Sequence, residues 1–133
     1  MVGPIPDLWP ESLEIINVVP PVAILRQQGA LLGERTQNLV FGEVHPSEVS
    51  ENQFEYDFDL MAPVLGEYRY RLFSIRHGLS LYPVEILLGG TETPLRAASK
   101  EQFIEHLRSV LSSHETQRVV GALLAQSKAW SNP

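Results

Sequence analysis

Cysteine is absent from this chain of 133 residues, which excludes disulfide bonds, thiolate zinc sites and cysteine nucleophiles. Lysine is scarce and occurs only at Lys100 and Lys128. Long apolar runs are also missing, since no segment approaches the ~18 apolar residues that a membrane-spanning helix needs. The first residues lack the basic and apolar regions of a signal peptide. We therefore expect a cytoplasmic protein that has no membrane partner.

The net charge is negative, at −6, with a pI near 5.1. Acidity of this size opposes contact with nucleic acid, so we expect no nucleic-acid partner. The sequence contains no phosphate-binding loop, no GxSxG or SxxK nucleophile motif and no HExxH zinc motif. We accordingly expect no cofactor, no metal site and no catalytic residues, which favours a non-enzymatic role.

The length and the ordinary globular composition, with 44% hydrophobic and 20% charged residues, predict a single domain over residues 1–133. Three prolines predict an extended arm over residues 1–12. The tail, residues 129–133, is expected to fray.

The periodicity of the apolar residues predicts an α+β fold. Helical spacing indicates one helix over residues 21–32 and two more after capping boxes that begin at Ser99 and Ser112. Short turns predict an antiparallel meander with the helices mainly on one face. Four strands are predicted, over residues 38–45, 53–61, 67–76 and 79–88, and residues 13–19 are the candidate for a fifth.

The clearest element is the second strand, in which apolar and polar side chains alternate. Because side chains alternate across a strand, this pattern predicts one buried face and one wet acidic face. The buried set is predicted to be Phe54, Tyr56, Phe58 and Leu60.

The opposite face of this strand carries the row Glu55, Asp57 and Asp59. We expect Arg69 and Arg71, on the next strand, to pair with this row. Exposed pairs contribute about 0.2–1 kcal/mol each, so Arg71→Ala is expected to cost little. Two other interpretations are a docking surface for a basic partner and a site for a divalent cation.

The same alternation places Phe73 and Ile75 beside the arginines, on the face away from the helices. An exposed apolar patch of this kind is typical of an interface. We therefore predict a non-enzymatic interaction module that binds a protein partner or a second copy of itself as a homodimer, unless residues 13–19 cover the patch. The predicted partner-binding residues are Glu55, Asp57, Asp59, Phe73 and Ile75.

The alternative function is that of a small-ligand-binding protein or enzyme with a pocket between the sheet and the helices. Three polar residues around the turn that follows the third strand would serve it. They are Arg76, His77 and Tyr82.

The order of elements, with acids on the strands, resembles that of the PD-(D/E)xK nucleases. In that resemblance Asp57 or Asp59 would be the first acid and Glu85 the second. The family needs a basic residue two positions after the second acid. This chain has Leu87 there, so we do not expect nuclease activity.

Overall fold

A computed structural model describes residues 3–90 and 92–131. One helix precedes five strands, and two helices follow them. The elements are α1 (Pro21–Arg35), β1 (Phe41–Val49), β2 (Phe54–Ala62), β3 (Tyr68–His77), β4 (Val84–Leu88), β5 (Leu95–Ala97), α2 (Lys100–Leu111) and α3 (His114–Ser131), with one 3₁₀ turn at Pro63–Leu65.

The strands form one antiparallel sheet in the order β1-β2-β3-β4-β5. All three helices contribute to the single core cluster, which they form with one face of the sheet. The α+β meander with helices on one face is therefore confirmed. The sheet residues of this core are Phe58, Leu60, Ala62, Phe73, Ile75, Val84, Ile86 and Ala97.

The helix that follows the sheet begins as its capping residues predict. The Ser99 hydroxyl accepts a hydrogen bond from the Gln102 N–H at 3.2 Å, and the Gln102 side chain accepts one from the Ala98 N–H at 2.7 Å. These bonds satisfy N–H groups that a helix start leaves without partners. The second cap lies one residue later than predicted: Ser113 accepts from the Thr116 N–H at 3.3 Å, and Ser112 is the residue that ends α2.

Three predicted segments differ from the structure. The fourth strand, predicted over residues 79–88, is Val84–Leu88, and residues 79–83 belong to the turn before it. Residues 13–19 form no strand, because no strand in the described part of the chain pairs with them. The fifth strand is instead Leu95–Ala97, which pairs with β4. The tail is helical as far as Ser131, and residues 1, 2, 132 and 133 lie outside the described residues.

An extra residue in β3 reverses the faces of that strand. Phe58 is opposite Phe73 while Asp59 is opposite Arg71, so Leu72 has no partner of its own and forms a bulge. A bulge shifts the alternation by one residue, and the period-2 prediction was therefore wrong for everything after it. Phe73 and Ile75 are buried in the core beneath the helices and do not form an exposed patch.

Helix α1 lies unusually close to β1. The backbones of Gly29 and Gly42 touch, so that a Cβ on Gly29 would lie 2.8 Å from the Gly42 carbonyl carbon. Gly33 approaches the start of the same strand at Phe41. Because these positions lack side chains, the helix backbone can lie directly against the strand.

Candidate functional site

The face of the sheet opposite the helices is charged, and we call it the charged face. The register of the strands places six carboxylates and four arginines on it. They are Glu43, Glu48, Glu55, Asp57, Asp59, Glu85, Arg69, Arg71, Arg76 and Arg96.

Asp59 is the centre of the charged face, and its side chain is only 1% exposed. Arg69 donates to one carboxylate oxygen at 3.0 Å and Arg71 donates to the other at 3.1 Å. The hydrogen bond to Asp59 is the main cause that raises the pKa of Arg71. The predicted pairing of the acidic row with Arg69 and Arg71 is confirmed for Asp57 and Asp59 but not for Glu55.

Asp57 belongs to the same network. Arg71 Nη2 lies 2.9 Å from its Oδ2, and the Ser74 hydroxyl donates to its Oδ1 at 2.6 Å. Glu55 accepts a hydrogen bond from the Ser47 hydroxyl at 3.0 Å. The predicted carboxylate row is therefore present, and each of its members has a partner within the chain.

The burial of the aspartates changes the expected effect of Arg71→Ala. Breaking a buried ion pair by removing one partner costs about 3–5 kcal/mol, but the Arg71 side chain is itself 57% exposed. Screening by solvent reduces the expected loss to about 1–3 kcal/mol. Urea unfolding of the variant measures this loss.

A second substitution tests why Arg71 matters. Asp59→Asn keeps the shape of the side chain but removes its charge. In the Arg71→Ala background we expect it to recover part of the lost free energy of unfolding, whereas in the wild-type background it should be destabilising. The same effect in both backgrounds would contradict a coupled buried network.

The second group of predicted site residues surrounds a cavity of about 370 Å³ at the turn between β3 and β4. Arg76 is paired with Glu85 at 2.9 Å. The Tyr82 hydroxyl donates to the Val19 carbonyl at 3.0 Å. Burial, followed by the charge of Glu101, raises the pKa of Tyr82, so the phenol remains a donor at neutral pH.

His77 also lines this cavity, and its ring is buried. It stacks against Phe54 and Tyr56 with ring centroids 5.8 and 5.9 Å away. Its Nδ1 lies 2.7 Å from the Gly78 carbonyl, whereas Nε2 has no hydrogen-bond partner in the described part of the chain. Arg76, His77 and Tyr82 therefore line one cavity, which lies at the β3–β4 turn and not between the sheet and the helices. Arg76 and Tyr82 already have partners inside the protein.

The segment before α1, residues 3–19, forms neither helix nor strand. It is longer than the extended segment predicted over residues 1–12, and we call all of residues 3–19 the arm. Its large apolar side chains are exposed, up to 94% for Ile15. Among the described residues, the hydrogen bond from Tyr82 to Val19 is the only one that joins the arm to the rest of the chain. The exposed apolar residues are Ile5, Leu8, Trp9, Leu13, Ile15, Ile16, Val18 and Val19.

Within residues 3–90 and 92–131, no three histidine, aspartate or glutamate side chains are grouped as ligands of a metal ion. No helix in that part of the chain combines the length and the apolar character needed to cross a bilayer. No protein-family model, curated protein or solved structure matches this chain.

The sequence predicts an extended arm over residues 1–12 but not its continuation to residue 19. Residues 13–19 were a candidate strand that could cover an apolar patch, since apolar side chains are usually buried. The signal for the alternative is the pair of flanking prolines, Pro10 and Pro20, which separate the run from its neighbours.

Proposed function

We propose that this protein is a non-enzymatic interaction module and that its contact segment is the arm. One observation carries the proposal. Eight large apolar side chains are exposed along a single short segment whose one hydrogen bond to the rest of the described chain is that from Tyr82 to Val19.

Exposed apolar surface of this extent supports a binding role, because monomers seldom expose contiguous apolar patches without a use for them. The arm also carries Asp7, Glu11 and Glu14 and no basic residue. Its carboxylates keep it soluble while it is unbound and favour a partner that presents a basic group to them. Its residues lose conformational freedom on binding, which favours a contact that can be reversed.

The charged face and the cavity at the β3–β4 turn have weaker support as binding sites. Asp57 and Asp59 are already neutralised by arginines of the same sheet, so a basic partner would have to displace those bonds. At the cavity, Arg76 and Tyr82 are bound to Glu85 and Val19. A ligand at either place would gain little beyond what it breaks.

Photo-cross-linking in cells tests the role of the arm. A benzoylphenylalanine is placed at Ile15, in the arm, or at Leu79, which is 81% exposed but lies in the β3–β4 turn. We expect discrete cross-linked products from position 15 and none from position 79. The matched exposure of the two positions controls for random collision.

The result that would overturn the proposal is an arm that yields no specific product. Cross-links of equal strength from both positions would have the same consequence, since they would show that exposure alone determines the yield. Mass spectrometry of the product from position 15 identifies the partner, which separates this proposal from the more specific one below.

A further inference from the structure

The geometry points to a specific partner for the arm: we propose that residues 11–19 add as a sixth strand to the free edge of β1 in a second copy of this chain. This inference rests on the proposed function and names the partner. In the resulting two-fold pair, each copy gives one arm and receives one, so the assembly closes on itself.

The arm contains a segment that is suited to strand pairing. Residues 11–19 are rich in β-branched side chains, contain no proline, and are bounded by Pro10 and Pro20. The backbone of this segment forms no backbone hydrogen bond in the described chain. A strand former without a strand partner can complete its hydrogen bonds at the edge of another sheet.

The recipient edge is β1, which pairs with β2 on one side and with no other described strand. It has nine residues, but Pro46 has no N–H to donate and the register shifts between Pro46 and Glu48, so the regular edge covers residues 41–45 and matches the central part of the segment 11–19. An edge of this length is a template for pairing with another chain. The opposite edge, β5, has three residues and could hold only part of the segment.

A groove of about 470 Å³ lies beside this edge, between β1 and α1. On the helix side it is lined by Arg26, Ala30 and Gly33. On the strand side lie Val44 and Glu43, and the Glu43 carboxylate is 3.9 Å from Arg69 of its own sheet. Alternate side chains of an added strand would enter this groove, where the small residues of α1 leave room for them.

Charge complementarity sets the alignment of the added strand. Arg26 forms no ion pair in the described part of the chain, and the arm carries only carboxylates. If Glu14 lies beside Arg26, then Ile16 and Val18 face α1 near Ala30 and Gly33. The spacing agrees, since Arg26 to Gly33 spans about 10 Å of helix and Glu14 to Val18 spans about 13 Å of strand.

This alignment is antiparallel to β1, because Gly33 approaches Phe41 while Gly29 approaches Gly42, the next residue along the strand. It requires Val18 at the Phe41 end of β1. In its own chain, however, Val19 accepts a hydrogen bond from Tyr82. Tyr82 lies two residues before Val84, and Val84 is in register across the sheet with Val49, at the opposite end of β1 from Phe41. The two ends of β1 are about 26 Å apart. The arm therefore reaches this alignment on a second copy and not on its own.

Sedimentation equilibrium of the purified full chain tests the proposal. From low to high micromolar concentration we expect a particle of twice the 14.9 kDa of one chain. Ile16→Asp should dissociate the pair, because it places a carboxylate in the groove against α1. Leu79→Asp, at an exposed apolar position outside the arm, should leave the pair intact.

A charge exchange tests the alignment itself. Glu14→Arg and Arg26→Glu are each expected to weaken association roughly tenfold, and the double variant should recover most of the loss. Both residues are exposed, and circular dichroism verifies that each variant is folded.

Three outcomes would overturn the proposal: a 14.9 kDa particle at every concentration, a dimer that Ile16→Asp does not weaken, or a double variant no better than the singles. A monomer whose arm still cross-links to a different protein would overturn the second copy as partner and leave the proposed function standing.

Discussion

Gly29→Ala is expected to lower the free energy of unfolding by about 3 kcal/mol, near the upper range for overpacking a core. The new Cβ would collide with the carbonyl group of Gly42. Backbone atoms cannot rotate aside as a side chain does, so α1 would have to move away from β1. That movement would open the core at Ile24 and Leu25, which are buried beneath the helix.

Gly121→Ala is the matched control for this substitution. Gly121 lies inside α3, and a Cβ there would meet no atom within 4 Å. Alanine favours a helix over glycine by about 0.5–1 kcal/mol, so this variant should be more stable than the wild type. Urea titration of both variants measures the contrast, and a Gly29→Ala protein as stable as Gly121→Ala would contradict the described packing of α1.

Phe58→Ala is expected to cost about 3–5 kcal/mol, the usual range for deletion of a buried aromatic ring. Phe58 is 2% exposed, and its ring stacks on that of Phe73 with the centroids 5.1 Å apart. The substitution would leave a cavity at the centre of the sheet, between β2 and β3. Thermal or urea unfolding measures the loss.

Trp9→Ala is the control for an aromatic residue outside the core. Its side chain is 75% exposed, so its removal should change the free energy of unfolding by no more than about 0.5 kcal/mol. If Trp9→Ala were as destabilising as Phe58→Ala, the arm would be packed on the domain and not free to bind.

The sequence predicted the second strand well because its period-2 pattern is uninterrupted. Phe58 is buried as predicted, and the acidic residues on the other face meet Arg69 and Arg71. Their deep burial was not predictable, since a pattern of alternation shows which face a carboxylate occupies but not whether two guanidinium groups cover it.

The bulge at Leu72 marks where sequence periodicity fails. A single unpaired residue is invisible in a pattern of apolar and polar letters, yet it moves Phe73 and Ile75 from one face of the sheet to the other. The predicted apolar patch was lost with it. An exposed apolar surface does exist, but it lies in the arm. The argument that an exposed apolar surface is typical of an interface therefore applies to the arm and not to the sheet.

The glycine positions show a similar limit. From the sequence, Gly29 is expected to weaken α1 and Gly33 to end it, whereas the helix continues to Arg35. In the structure, these glycines allow α1 to lie close to β1 and line the groove beside the free edge of β1. Both features depend on a contact between two elements, which helix propensity does not predict.

Amide hydrogen exchange of the arm is the most direct test of its pairing with β1. In the purified full chain, we expect the amides of residues 13–18 to become protected as the protein concentration rises, together with the outward-facing amides of residues 41–45. Ile16→Asp should abolish both effects. Arm amides that exchange at the rate of an unstructured peptide at every concentration would contradict strand addition between two copies.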